Sequence, residues 1–76
     1  MPNEALGNNV REVRRERRLT QAELASAVGV SRQTVVAIEG GDYAPSVLLA
    51  LRIAAALDHP IDDLFFIDPA HQEVRS

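Results

Sequence analysis

The stretch LTQAELASAVGVSRQTVVAIEGG, residues 19–41, constrains this chain more than any other. It reads as two short helices that meet at a glycine. Thr20 and Glu23 have the spacing of a reciprocal cap, in which each side chain satisfies an unpaired backbone N–H of the other. Leu24 and Val28 then fall on one buried side, and Ala25 is small enough to let a second helix approach. Gly29 ends the helix at a position where a left-handed backbone costs least. After Val30, Ser31 caps the next helix, and Val35 and Ile38 anchor it inward. Gly40 and Gly41 stop it, and Asp42–Pro45 read as a loop.

The rest of the chain completes a small helical domain. A first helix is expected from about Asn8 to Arg18, with Leu6, Val10 and Val13 on its inner side. In the run RRERR, residues 14–18, Arg15, Arg17 and Arg18 read as a charged outer face. Ser46 caps a fourth helix over 47–57, whose core residues are Leu49, Ala50, Ile53, Ala54 and Leu57. A short fifth turn follows Pro60, with Ile61, Leu64 and Phe65 facing inward. No strand is expected, and the polar stretch after Ile67, which contains Pro69, is expected to fray. The expected fold is therefore all-α: one compact five-helix domain over residues 1–76, its core at about 8–66, with short tails at 1–7 and 67–76. A chain of 76 residues buries only roughly 60% of its unfolded surface, so that core is small.

Composition narrows the function. The chain has no cysteine, so disulfides and the usual cysteine-bearing zinc sites are excluded. His59 and His71 stand alone, and no metal, cofactor or small-molecule ligand is expected. Asp58–His59 and Asp62–Asp63 read as solvated groups, the latter pair at a helix start favoured by its dipole, so no enzyme is expected. With no long apolar run and no leader-like start, the chain reads as cytoplasmic, with no membrane partner. All eight basic residues are arginine, and the net charge is −3. Residues 1–40 hold six arginines and five acids, and residues 41–76 hold two and six, giving +1 and −4. An acidic chain cannot coat phosphates indiscriminately, so any DNA binding must come from local geometry, with weak non-specific affinity.

The geometry is there to be read. A helix, a three-residue turn and a helix form the pattern in which the second helix enters the major groove of DNA while the first crosses the backbone. At ~100° per residue, Val35 and Ile38 set the inward direction of the second helix. Gln33, Val36, Ala37 and Gly40 then fall near the opposite side, and Arg32 lies on the flank. An amide and small apolar groups suit base edges: Gln33 can pair with adenine, and Val36 or Ala37 can meet a thymine methyl. Arg32 reaches either guanine or a phosphate. Around this face, the start of the helix after Thr20 offers free N–H groups to an anion, with Gln21 beside them. Ser31 is first a cap and second a candidate phosphate donor, and Thr34 faces sideways within reach of a phosphate.

LTQAELASAVGVSRQTVVAIEGGDYAPS, followed by ALRIAAAL and IDDLF, resembles the Cro/C1-type (Xre-type) helix-turn-helix regulators, the five-helix lambda-repressor-like domains of phage repressors and many microbial regulators. The resemblance covers about residues 8–66. It implies a double-stranded DNA operator as partner, read by a dimer. It also implies that Gln21 and Tyr43 approach the DNA backbone and that Arg14 pairs with Glu39 to join the first and third helices. The chain departs from the family pattern at Asp42, where relatives carry Lys or Arg, and at Gly40, where asparagine is frequent. Leu48, at a position often polar in the family, joins Phe66 and Ile67 as surplus apolar surface, from which a homodimer interface is expected, with Val47 or Leu51 at its margin. The function expected is a sequence-specific transcriptional regulator, most simply a repressor on a near-palindromic site. The alternatives are an antitoxin of a toxin–antitoxin pair and a restriction–modification controller.

Overall fold

Three helices of this chain start at capping side chains, and the computed structural model, which describes residues 5–68, shows how they are used. The order is β1 (Ala5–Asn8), α1 (Val10–Glu16), α2 (Gln21–Val28), α3 (Arg32–Glu39), α4 (Val47–Leu57), α5 (Ile61–Leu64) and β2 (Phe65–Asp68). Thr20 Oγ1 accepts the Glu23 N–H at 3.0 Å while Glu23 Oε1 accepts the Thr20 N–H at 2.8 Å, closing the capping box of α2. Ser31 and Ser46 accept the N–H groups of Thr34 and Leu49, each at 3.1 Å, and so start α3 and α4. Gly29 takes φ +81 at the end of α2, a left-handed conformation in which a Cβ would crowd the backbone.

The core is one layer of apolar side chains shared by all five helices. Val10, Val13, Leu24, Ala25, Val28, Val35, Ile38, Leu49, Ile53, Ala54, Leu57 and Leu64 are buried together, with Leu19, Val30, Ile61 and Phe65 packed at its edge. Val35 and Ile38 are each 1% exposed, so the inner face of α3 is fixed against the rest of the domain.

The fold departs from the all-α expectation in one element. Residues 5–8 and 65–68 form a two-stranded antiparallel ribbon, with Leu6 opposite Ile67, Gly7 opposite Phe66 and Asn8 opposite Phe65. The run Phe65-Phe66-Ile67 is rich in aromatic and β-branched groups and suits a strand better than another helical turn. Residues 5–7 and 67–68, expected as tails, are thus paired, and Leu6 is 40% exposed rather than on the inner stripe of α1. The first helix is correspondingly shorter. Asn8 lies in the strand, and the chain turns at Arg17 and Arg18, the latter with φ +61.

Arg17 is not merely part of a charged face. Its Nε donates to the Leu57 carbonyl at 2.7 Å and its Nη2 to that of Asp58 at 2.9 Å, so a cation closes the C-terminal end of α4. The fraying expected beyond Ile67 lies outside the described residues from Pro69 onward, as does His71. Among the described residues no group of acids and histidines is placed to hold a metal, and no helix is long and apolar enough to cross a membrane.

Candidate nucleic-acid interface

The outer face of α3 is open. Arg32 and Gln33 are exposed, Ala37 is half-buried and Gly40 is exposed. Val36 is 41% exposed, a large share for a branched apolar side chain on a helix that otherwise buries such residues. The inward pair Val35 and Ile38 forces this outcome, because residues one position away on a helix point to different sides. Tyr43, in the loop after α3, is 49% exposed.

At the start of α3, Ser31 and Thr34 are engaged with one another. Their hydroxyl oxygens lie 2.9 Å apart while Ser31 Oγ also accepts the Thr34 N–H. Both hydroxyls therefore have a protein partner before any ligand arrives, and each keeps capacity for one more contact.

Arg14 and Glu39 are brought together where α1, α2 and α3 meet. Arg14 Nε donates to Glu39 Oε2 at 2.6 Å and its Nη2 to Oε1 at 3.2 Å, a forked pair. Its Nη1 donates to the Leu19 carbonyl at 2.8 Å. The Glu39 side chain is 0% exposed and that of Arg14 9%. The same carboxylate accepts the Gln21 amide at 3.1 Å, and the Arg11 guanidinium stands 3.6 Å away. Burial alone would raise the pKa of Glu39. The hydrogen bonds from Arg14 and Gln21 and the charges of Arg14 and Arg11 outweigh it and hold the carboxyl below its ordinary value.

Arg14 and Gln21 of this junction also line a cleft of about 530 Å³, together with Arg11, Arg15, Thr20, Ala22 and Arg32. Four guanidinium groups thus border the N-terminal end of α2, where backbone N–H groups and the helix dipole favour anions. Gln21 sits here with its amide held by Glu39, which fixes the direction its second N–H can point. Two residues of the cleft escape a reading by sequence. Arg15 reads as solvated, and Arg11 attracts no notice. Their spacing of i, i+4 on α1 puts both on one face, and only the cleft that α1 shares with the start of α2 shows what that face borders.

The residues of the expected dimer patch are exposed but not contiguous along β2. Leu48 is 59% and Ile67 62% exposed, with Val47 at 75% and Leu51 at 49%. Phe66 and Ile67 are neighbours in a strand and so face opposite sides of it. Phe66 lies over Gly7, its ring 2.3 Å from where a Cβ on that glycine would stand. Ile67 pairs with Leu6 on the other side.

A helix-turn-helix held by a shared core, its second helix exposing an amide and small apolar groups beside an arginine cleft, defines a DNA-binding domain of the regulator class. A family model described as helix-turn-helix matches residues 10–64. The chain belongs to the Cro/C1-type, or Xre, family of helix-turn-helix proteins and is a DNA-binding transcriptional regulator. It is 55% identical over 60 residues to an HTH-type transcriptional regulator of Methanothermobacter thermautotrophicus, covering 78% of this chain and 87% of the relative. It is 48% identical over 61 residues to the HTH-type transcriptional regulator YgzD of Bacillus subtilis, covering 80% and 92%. Its fold is similar to that of the restriction-modification controller protein C.AhdI from Aeromonas hydrophila. That likeness has a TM-score of 0.70 at 36% identity, over 74% of this chain and 85% of the controller.

Proposed function

We propose that this regulator is a repressor that binds a near-palindromic operator as a homodimer and reads base edges through the outer face of α3. The observation that carries the reading is the pairing of an exposed Val36, at 41%, with exposed Gln33 on the face opposite Val35 and Ile38. A helix with no partner on that side would gain solubility from charge there. Gln33 pairs with an adenine edge, and Val36 and Ala37 meet thymine methyl groups. Arg32 stands at the border between the reading face and the cleft. Gln21, Ser31, Thr34 and Tyr43, together with Arg11 and Arg15, contact phosphates and set the register.

The homodimer is supported by the surplus apolar surface at Leu48, Leu51 and Ile67, with Leu6 beside Ile67 and Phe66 on the reverse of the ribbon. A two-fold dimer spaces its reading helices by one turn of duplex, about 34 Å. Sedimentation at micromolar concentration, free and on DNA, tests it: a dimer is expected, and a monomer in both states removes it. Selection of binding sites from random duplex DNA tests the whole reading. The expected result is a symmetric preferred site whose affinity falls on Gln33→Ala while scrambled DNA is bound as before. No preference over scrambled competitor would end the proposal. Likeness to C.AhdI favours one narrower reading, control of neighbouring restriction and methylation genes, which a genomic neighbourhood with neither gene would remove.

A further inference from the structure

The polar ties that other elements make to α3 fall at its C-terminal end. Arg14 and Gln21 bind Glu39, and a second tie comes from the ribbon: Asn8 Nδ2 donates to the Ile38 carbonyl at 2.9 Å, across 30 residues of sequence. That carbonyl also accepts the Gly41 N–H at 3.0 Å, so both of its acceptor directions are filled. The other end of the same carboxamide is equally engaged, since Asn8 Oδ1 accepts the first N–H of α1, that of Val10, at 3.1 Å. Asn8 is itself held in place. It pairs with Phe65 in the ribbon, and the adjacent Asn9 gives its N–H to the Leu64 carbonyl at 2.9 Å and its Nδ2 to that of Asp63 at 3.0 Å.

We propose that Asn8 is a positioning residue for base reading: its carboxamide joins the ribbon and the start of α1 to the last turn of α3, and so sets the angle at which Gln33, Val36 and Ala37 meet DNA. The inference rests on the reading of α3 given above. Apolar packing by Val35 and Ile38 fixes which side of α3 faces inward, but the attraction behind it is non-directional. A hydrogen bond to a main-chain carbonyl is directional, and its donor here belongs to a segment anchored to β2 and the end of α5. Base-edge hydrogen bonds fail with shifts of a few tenths of an ångström. Arginine arms on phosphates absorb such shifts along their length. Loss of the tie therefore weakens specific binding and spares non-specific binding.

Two variants separate the ends of the side chain. Asn8→Asp keeps an oxygen for the Val10 N–H and sets a second oxygen against the Ile38 carbonyl, replacing attraction by repulsion. Asn8→Ser keeps a side-chain oxygen and is too short to reach Ile38. Affinities for the selected duplex and for a scrambled duplex are measured for each, well below its melting temperature. Asn8→Asp is expected to bind the selected duplex about tenfold more weakly and the scrambled duplex within about twofold of wild type. Asn8→Ser is expected to lie between, and it carries the test alone if Asn8→Asp does not fold. Parallel losses on both duplexes, or an unchanged ratio in a folded variant, would overturn the role assigned to Asn8 and leave the reading of α3 intact. A wild-type protein without any preferred duplex would instead sink the reading of α3, and this inference with it.

Discussion

Glu39 is the residue on which most of the site converges. Its carboxylate is fully enclosed and accepts from Arg14 and Gln21, with Arg11 close by. A buried ion pair contributes little net stability, because desolvation offsets attraction, but removing one partner strands the other. Arg14→Ala is accordingly expected to cost on the order of 3 kcal/mol, and the double variant Arg14→Ala/Glu39→Ala much less than the sum of the single losses. Denaturant unfolding of the four proteins checks this, and additive losses would show that the two side chains do not act as a pair. The pH dependence has a definite sign. A carboxyl whose folded pKa lies below its ordinary value of 4.5 stabilises the fold above that value, and the contribution disappears as pH falls through the folded pKa. The gap in melting temperature between wild type and Glu39→Gln should thus be widest near neutrality and narrow as the pH drops below 4.5. A gap that stays constant down to about pH 3 would contradict the assignment.

At the level of elements, what could be read from the sequence was what is encoded locally. The capping box of Thr20 and Glu23, the caps of Ser31 and Ser46, and the inward spacing of Val35 and Ile38 each involve residues within four positions of one another. The face of α3 follows from the same spacing. The ribbon was not legible, because Ala5–Asn8 and Phe65–Asp68 become strands only by pairing with each other, and neither four-residue stretch has an alternation long enough to announce it. Arg15 and Arg17 were hidden for a related reason. RRERR looks charged throughout beyond Arg14, yet Arg15 lines the cleft and Arg17 closes α4. The ribbon makes its own prediction. A methyl group at Gly7 would collide with the ring of Phe66, a residue 39% exposed, and would have to displace it. Gly7→Ala is expected to lower stability by about 1 kcal/mol through loss of ring packing, and to add little in a Phe66→Ala background. A thermal-melt cycle over the four proteins measures the coupling, and equal losses in both backgrounds would show that the ring does not matter.

For the molecule as a whole, the decisive fact is that a protein of net charge −3 must bind a polyanion. In the proposed complex it does so by segregating charge. Arg11, Arg14, Arg15 and Arg32 line one cleft, while Asp58 at the end of α4 and Asp62 and Asp63 in α5 are exposed. In that complex the acidic remainder repels DNA at a distance, so affinity depends on the cleft coming into contact, and few phosphates are neutralised per protomer. Each neutralised phosphate contributes about 0.9 to the slope of log K against log salt concentration. In the proposed complex the cleft arginines outside the Arg14–Glu39 pair, Arg11, Arg15 and Arg32, meet phosphates, Arg11 while also 3.6 Å from the Glu39 carboxylate. Arg15→Ala should therefore reduce that slope by about 0.9 per protomer and weaken selected and scrambled duplexes alike, since a phosphate contact carries no sequence information. Binding measured between about 50 and about 200 mM salt resolves such a change. Gln33→Ala provides the opposite signature, with an unchanged slope and a loss confined to the selected duplex. If Arg15→Ala altered preference among duplexes while leaving the slope untouched, the cleft would be contacting bases, and the division of labour between α3 and the start of α2 would have to be reversed.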